Sequence, residues 1–354
     1  MPLSPKYDLD GAPQWTRVFG TTSEDAAFGV TVNSTGVSVV GRTDALPGQT
    51  NLGGYDAFVR RYDFNGTETG TLQFGTNSTD YAYGAASDSS AVYVCGYFLI
   101  SSQGASDAFV LKLPFPPDVF VGGVVNNASF APSPVPVAPG SIAAVFGTNL
   151  DDGSVITSSS FGPDGKLITT MGGASVTIDN IPAPMFAANS GQLSVQIPVE
   201  LAGRTTATIR VTVGGQTSVP RAVSLADIAP GIFTVNQQGT GAGIFIHQDG
   251  ITPVSAANPA HPGEIVILYA TGLGPATPPL GTGSPSTGNV TGTPIVMVDG
   301  VSAVLNFSGV APGFVGLNQV NLHIPPGTRT ASNIPVTLTL GGKDANPVTI
   351  AVAP

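Results

Sequence analysis

The chain has 354 residues, enough for two or three domains, with 10% of residues charged, 42% hydrophobic, 46 glycines and 31 prolines. That balance excludes a disordered chain, which needs high charge and few apolar residues, and points to many short strands joined by tight turns. A net charge of -10 with only 12 scattered Lys and Arg argues against nucleic acid as a partner, and no apolar run approaches the roughly 18 residues of a membrane span.

The first 113 residues are one β-rich unit written twice. Phe19 pairs with Phe74, Asp25 with Asp80, Gly29 with Gly84 and Gly41 with Gly96, each 55 residues apart. Both copies close on Asp-Ala-Phe-Val, at Asp56 and Asp107, dividing the segment into repeats of about 6–60 and 61–113. Four short apolar runs per copy at this period are the pattern of a β-propeller blade, and two blades cannot make a ring. Asp10-Gly11 and Asn65-Gly66 sit at equivalent turns. Asp8-x-Asp10-Gly11 shares only the opening of a calcium loop, lacking the later ligands, so a turn is the better reading. Cys95 is the only cysteine, which excludes an intrachain disulfide; its place in Val92-Tyr-Val-Cys-Gly predicts a small buried side chain. The N-terminal MPLSPKYDLDG lacks the basic and apolar regions of a secretory signal, as expected of a cytoplasmic chain, a processed one or a piece of a longer product.

Leu113-Pro-Phe-Pro-Pro117 breaks the pattern and predicts a linker over 114–118. A second, more diverged duplication follows. Pro139-Gly-Ser-Ile-Ala-Ala-Val-Phe-Gly-Thr-Asn-Leu150 corresponds to Pro262-Gly-Glu-Ile-Val-Ile-Leu-Tyr-Ala-Thr-Gly-Leu273, and Gln192-Leu-Ser-Val-Gln-Ile-Pro198 to Gln319-Val-Asn-Leu-His-Ile-Pro325. Each copy has the size and strand spacing of an immunoglobulin-like sandwich, giving domains at 119–235 and 236–354. The segment Ala229-Pro-Gly-Ile-Phe-Thr234 is expected to finish the first sandwich and lead into the second, and Gly281 to Gly292 to form a long exposed loop. The fold class is therefore all-β, two propeller-blade-like antiparallel repeats followed by two Ig-like β-sandwiches.

The N-terminal pair, with its Asp-Ala-Phe-Val strand, Asn-Gly turn and Phe-Gly, resembles the bacterial SBBP-type β-propeller repeat. The remainder resembles a C-terminal domain of large secreted acidobacterial proteins related to Ig-like IPT/TIG sandwiches. This second likeness is carried by Asn127-Ala-Ser-Phe, Pro139 to Leu150, Ala229-Pro-Gly-Ile-Phe, Ser255-Ala-Ala-Asn-Pro259, Tyr269-Ala-Thr-Gly-Leu-Gly-Pro275 and Ala311-Pro-Gly-Phe-Val-Gly-Leu317. These resemblances imply an extracellular or cell-surface setting and bring no catalytic motif.

The residues themselves offer little chemistry. His247, His261 and His323 have no metal-ligand spacing, His323 belongs to an alternating strand whose polar side faces solvent, and no hydrolase elbow or phosphate loop occurs. No enzyme, metal or cofactor is expected. Asp25 and Asp80, the carboxylates at repeated positions, are read as caps of backbone donors at sheet corners. Trp15, Tyr97 and Phe98, within a wider set of Phe64, Tyr81, Tyr83 and Tyr93, are candidates for a sugar-stacking platform. Asn33, Asn65, Asn77, Asn127, Asn289 and Asn306 each begin an Asn-x-Ser/Thr sequon and are candidate glycosylation sites.

The strand Asp107 to Leu113 lacks the Asn-Gly hairpin partner that Asp56 to Tyr62 has. Its residues Ala108, Phe109, Val110, Leu111 and Leu113 are thus a candidate assembly edge. The functional expectation is a non-enzymatic extracellular protein that self-assembles into a fibre or surface layer, its partner being another copy of itself. The alternatives are a glycan- or protein-binding head on an Ig-like stalk, and the C-terminal part of a longer propeller protein.

Overall fold

The computed structural model describes residues 3–33, 35–100, 104–154 and 159–354. It is all-β, 52% strand and 1% helix, with every named sheet antiparallel. Two compact units meet at the 115/116 peptide.

The first unit has nine strands: β1 (Leu3–Tyr7), β2 (Pro13–Val18), β3 (Ala26–Asn33), β4 (Gly36–Thr43), β5 (Asp56–Tyr62), β6 (Glu68–Phe74), β7 (Asp80–Ser87), β8 (Ala91–Leu99) and β9 (Ser106–Pro114). They form a β1–β2 hairpin, a four-stranded meander β3–β4–β5–β6 and a three-stranded sheet β7–β8–β9. The sheets cut across the sequence repeats, because β3 to β6 runs through the expected division at residues 60 and 61. A period alone does not say where a sheet begins. The unit also extends past the expected linker start: Pro114 closes β9 and Phe115 packs against the core.

Two apolar layers hold the unit together. Val40, Ala57 and Val59 of the four-stranded sheet meet Ala82, Val92 and Val94 of the three-stranded one. On the opposite face, Phe19, Val39, Leu46, Phe58 and Tyr62 pack beneath the hairpin. Strand alternation explains the division, since neighbours such as Val39 and Val40 point to opposite faces.

The second unit contains two sandwiches. In the first, Asp118–Asn126, Ile142–Thr148, Gln192–Gln196 and Met185–Asn189 form one sheet. It encloses Val145, Leu193 and Val195 against Val176, Ile178, Ile209 and Val211 of a sheet centred on Ala174–Ile178 and Thr206–Val213. The second sandwich repeats this plan. Ile265–Thr271 pairs with Asn318–His323 as Ile142–Thr148 pairs with Gln192–Gln196. Its core joins Val266, Leu268, Val320 and Leu322 to Val296, Val298, Val336 and Leu338.

Two sequence expectations are corrected here. Gly231–Ile232 pairs with Thr271 and Ala270, and Ile232 lies in the second core, so this segment opens the second sandwich rather than finishing the first. Residues 281–292 are not an exposed loop. Gly283 N donates to Gln196 Oε1 at 2.7 Å, and Ser286 and Asn289 are buried, with Ser286 Oγ donating to the Val310 carbonyl. Polar composition suggested solvent, but these groups find protein partners instead.

Candidate assembly surface

The duplication allows equivalent side chains to be compared within one molecule. Val59 of β5 is 1% exposed, covered by the three-stranded sheet; Val110, its counterpart in the second Asp-Ala-Phe-Val, is 78% exposed. Ala57 is fully buried and Ala108 is exposed. Val40 is fully buried, whereas its counterpart Cys95 is exposed, which corrects the expectation of a buried thiol. The cause is common to all three: the four-stranded sheet has a neighbour on this face and the three-stranded sheet, among the described residues, has none. Cys95 and Val110 are cross-strand partners, as are Tyr97 and Ala108, so the exposed set is contiguous.

The edge is open as well. β9 pairs with β8 along its whole length, from Ala91↔Pro114 to Leu99↔Ser106, and with no other strand among the described residues. Along β9, Phe109, Leu111 and Leu113 are half-buried while Ala108 and Val110 are exposed, the alternation of an edge strand with one face packed. At the other end of the unit, β1 pairs with β2 and, among the described residues, with no other strand. Beside it lies a groove of about 540 Å³ lined by Tyr7, Trp15, Ala27, Val30, Val32 and Val39. Val30 is 62% exposed.

The three platform candidates do not form one surface. Trp15 leans on Tyr62 at 6.1 Å and donates Nε1–H to the Phe64 carbonyl at 3.0 Å. Phe98 stacks on Phe109 at 4.4 Å. Tyr97 joins Tyr81 and Tyr83, at 4.9 and 5.8 Å, and desolvation there pushes its phenol up to about 12. Phe28, 5.0 Å from Tyr83, completes that cluster; the sequence bulge that aims it was not foreseen.

The repeated aspartates act on the backbone. Thr21 N donates to Asp25 Oδ2 and Thr76 N to Asp80 Oδ2, both at 2.5 Å. A Cβ on Gly20 or Gly75 would fall 2.4 or 2.3 Å from those oxygens, which explains the repeated Phe-Gly-Thr. Asp80 also faces a second carboxylate, because the same Gly75 position is 2.9 Å from Asp56 Oδ1, a buried atom without a hydrogen-bond partner. Burial, with a further push from Asp56, raises the Asp80 carboxyl above its ordinary value, against the Thr76 hydrogen bonds that favour its ionised form. A carboxyl raised in the folded state contributes stability that is full below its unfolded value, about pH 4, and is lost as pH rises through the folded value. Asp80→Asn is therefore expected to stabilise the first unit at neutral pH, with the difference from the parent vanishing below about pH 4. Thermal unfolding of the pair of proteins across pH checks this; an equal difference at every pH contradicts it.

In the second unit, His247 Nδ1 meets Glu264 Oε1 at 2.5 Å, a pair that 17 residues of separation concealed. Burial pulls the imidazolium down, but Glu264, the Asn258 carbonyl and Asp249 together hold its pKa above the ordinary histidine value. Among the described residues no group of three or more His, Cys, Asp or Glu is placed to hold a metal ion. At the Asp8 turn, Oδ1 accepts from Asp10 N and Ala12 N, the turn geometry rather than an open ligand set. His323 is half-exposed between buried Leu322 and Ile324. A cleft of about 230 Å³ is lined by Pro139, Ser141, Gln196, Val199, Asp227 and Pro275, mostly apolar. Of the sequons, Asn65, Asn77 and Asn306 are exposed and Asn127 half-buried. Asn289 is 5% exposed and its amide donates to the Pro278 carbonyl at 2.8 Å, so it is not an accessible acceptor. Asn33 is half-buried and its amide donates to the Asp88 carbonyl.

No protein-family model matches the sequence, and no curated protein matches it either. Among solved structures, the chain is similar to the Bacteroides ovatus mixed-linkage glucan utilization locus SGBP-B in complex with a mixed-linkage heptasaccharide. Identity is 11%, coverage 95% of this chain and 69% of that one, and the TM-score 0.27. It is similar to domains 4–9 of the surface layer protein SbsC at 12% identity, covering 98% of this chain and 44% of that one, with a TM-score of 0.23. The I9–I11 tandem of titin matches at 10% identity over 93% of this chain and 98% of that one, with a TM-score of 0.20. At this level the likeness carries no functional argument.

Proposed function

We propose that this chain is a non-catalytic structural protein of the cell surface or extracellular space, which associates with copies of itself through its N-terminal unit. In this reading the four-stranded and three-stranded N-terminal sheets are propeller-type blades and the two sandwiches are Ig-like spacers. The observation that carries it is the contrast between Val59 and Val110, the same residue of the same motif, one sealed between sheets and the other in solvent. An exposed apolar face beside an unpaired edge strand is a surface that proteins cover or use.

Sedimentation velocity over a hundredfold range of concentration tests the proposal, with electron microscopy of the concentrated sample. Concentration-dependent association is expected. A monomer throughout overturns it.

A further inference from the structure

The geometry points to a second copy of this chain as the occupant of both open surfaces. Sheet β7–β9 of one copy stacks on β3 of the next, β9 takes that copy's β2 as its fourth strand, and the contact closes a ring. This rests on the self-association reading and specifies its mode.

The chain carries both halves of an interface it already makes internally. Within the unit, Val40, Ala57 and Val59 pack on Ala82, Ala85, Val92 and Val94. The repeat carries the first set onto Cys95, Ala108 and Val110, all exposed. It carries the second onto Ala27, Val30, Val37 and Val39, which line the groove beside β1. The two halves lie at opposite ends of the unit, so one copy cannot join them and two copies can.

The strand count agrees. β2 is the counterpart of β6 and is packed in the same way: Phe19 stands edge-on to Phe58 at 5.5 Å and 89°, and Phe74 stands edge-on to Phe109 at 5.7 Å and 81°. Phe58 and Phe109 are themselves equivalent residues of Asp-Ala-Phe-Val. Thus β2 already holds the outer position of a sheet preceding β3–β6. The third position of that sheet is held by β1, five residues with Pro5 inside and a register break at Lys6/Tyr7. β9 is a nine-residue version of the same strand, already joined to β8 and β7. Exchange of β1 for the β9 of a neighbour gives a complete four-stranded sheet, and the described N-terminal unit of each copy then accounts for two complete sheets. Contacts of this kind run head to tail, and closed propellers hold about four to eight sheets, so the ring contains about two to four copies.

Val30→Cys, with the native Cys95 as its partner, tests the contact. Thr31 Oγ1 shares a hydrogen bond with Ser87 Oγ, so Val30 faces away from sheet β7–β9; Val94 packs inward, so Cys95 faces away from sheet β3–β6. With both sheets between them and about 10 Å from sheet to sheet, a disulfide, which needs Cβ atoms about 4 Å apart, forms only between copies. Mild oxidation is expected to shift the chain to linked species of about two to four copies, with no larger products. Cys95→Ser in the same variant abolishes the shift. Val32→Cys, on the same groove, serves as a second reporter if the first variant fails to fold. Association by sedimentation without linkage in either reporter overturns this contact and leaves the self-association reading standing. A monomer by sedimentation overturns both. A ladder of linked products without upper limit overturns ring closure.

Discussion

Val59→Asp unfolds the N-terminal unit, whereas Val110→Asp leaves it folded and removes its self-association. The two valines occupy the same place in the same motif, so intrinsic strand preference is equal in both. At Val59 the new carboxylate is sealed between two sheets, against Val40, Ala82 and Val94, while Arg61, two residues on along the same face of β5, is held by the Leu113 and Pro114 carbonyls. An uncompensated buried charge costs about 3–5 kcal/mol, a large share of the stability of a domain of this size. At Val110, 78% exposed, the carboxylate is solvated, and a surface substitution of this kind stays within about 0.5 kcal/mol. Between copies, however, it places a charge in the middle of the proposed contact. Thermal unfolding and sedimentation velocity on both variants read the two effects separately. Unfolding of Val110→Asp contradicts the burial contrast, and a folded Val110→Asp protein that still associates sinks the assembly surface.

Much of this surface was legible in the sequence, and the limits of that reading are physical. The missing hairpin after Leu113 identified β9 as an edge; of the five residues named from it, Ala108 and Val110 are exposed, whereas Phe109, Leu111 and Leu113 are half-buried. The groove at the other end was not foreseen, since Ala27, Val30 and Val32 sit in a strand that reads as ordinary half-buried alternation. Nothing in β3 itself says whether a further sheet covers it. Cys95 failed for the same reason: repetition predicts the local conformation of a strand, but burial depends on whether a neighbouring sheet exists. The all-β class followed from turn residues and strand lengths, which are local properties. Residues 281–292 were misread because their polar composition was taken as solvation, although Ser286, Asn289 and the Gly283 amide satisfy one another and their neighbours inside the protein. The joint between the sandwiches was also hidden, because its partners are more than a hundred residues apart.

That joint carries the second large expected effect. Thr271, fully buried at the end of Ile265–Thr271, accepts from Ile142 N at 2.9 Å and donates its hydroxyl to the Gly316 carbonyl at 2.8 Å. Nearby, Asn126 donates to the Ala229 carbonyl at 2.9 Å while its Oδ1 receives Ala128 N, tying the first sandwich to the segment that opens the second. Thr271→Val keeps the side-chain volume, so no cavity forms, but it leaves the Ile142 amide and Gly316 carbonyl without that partner. A buried backbone group left unpaired costs about 1–3 kcal/mol, and two are affected. The substitution is expected to lower the urea midpoint of the second unit accordingly, and Thr271→Ser, which retains the hydroxyl, to recover most of the loss. If the valine and serine variants unfold alike, packing rather than this hydrogen-bonded bridge couples the two sandwiches. If the bridge couples them, the valine variant also broadens the transition, because each sandwich has its own apolar core and can then open without the other.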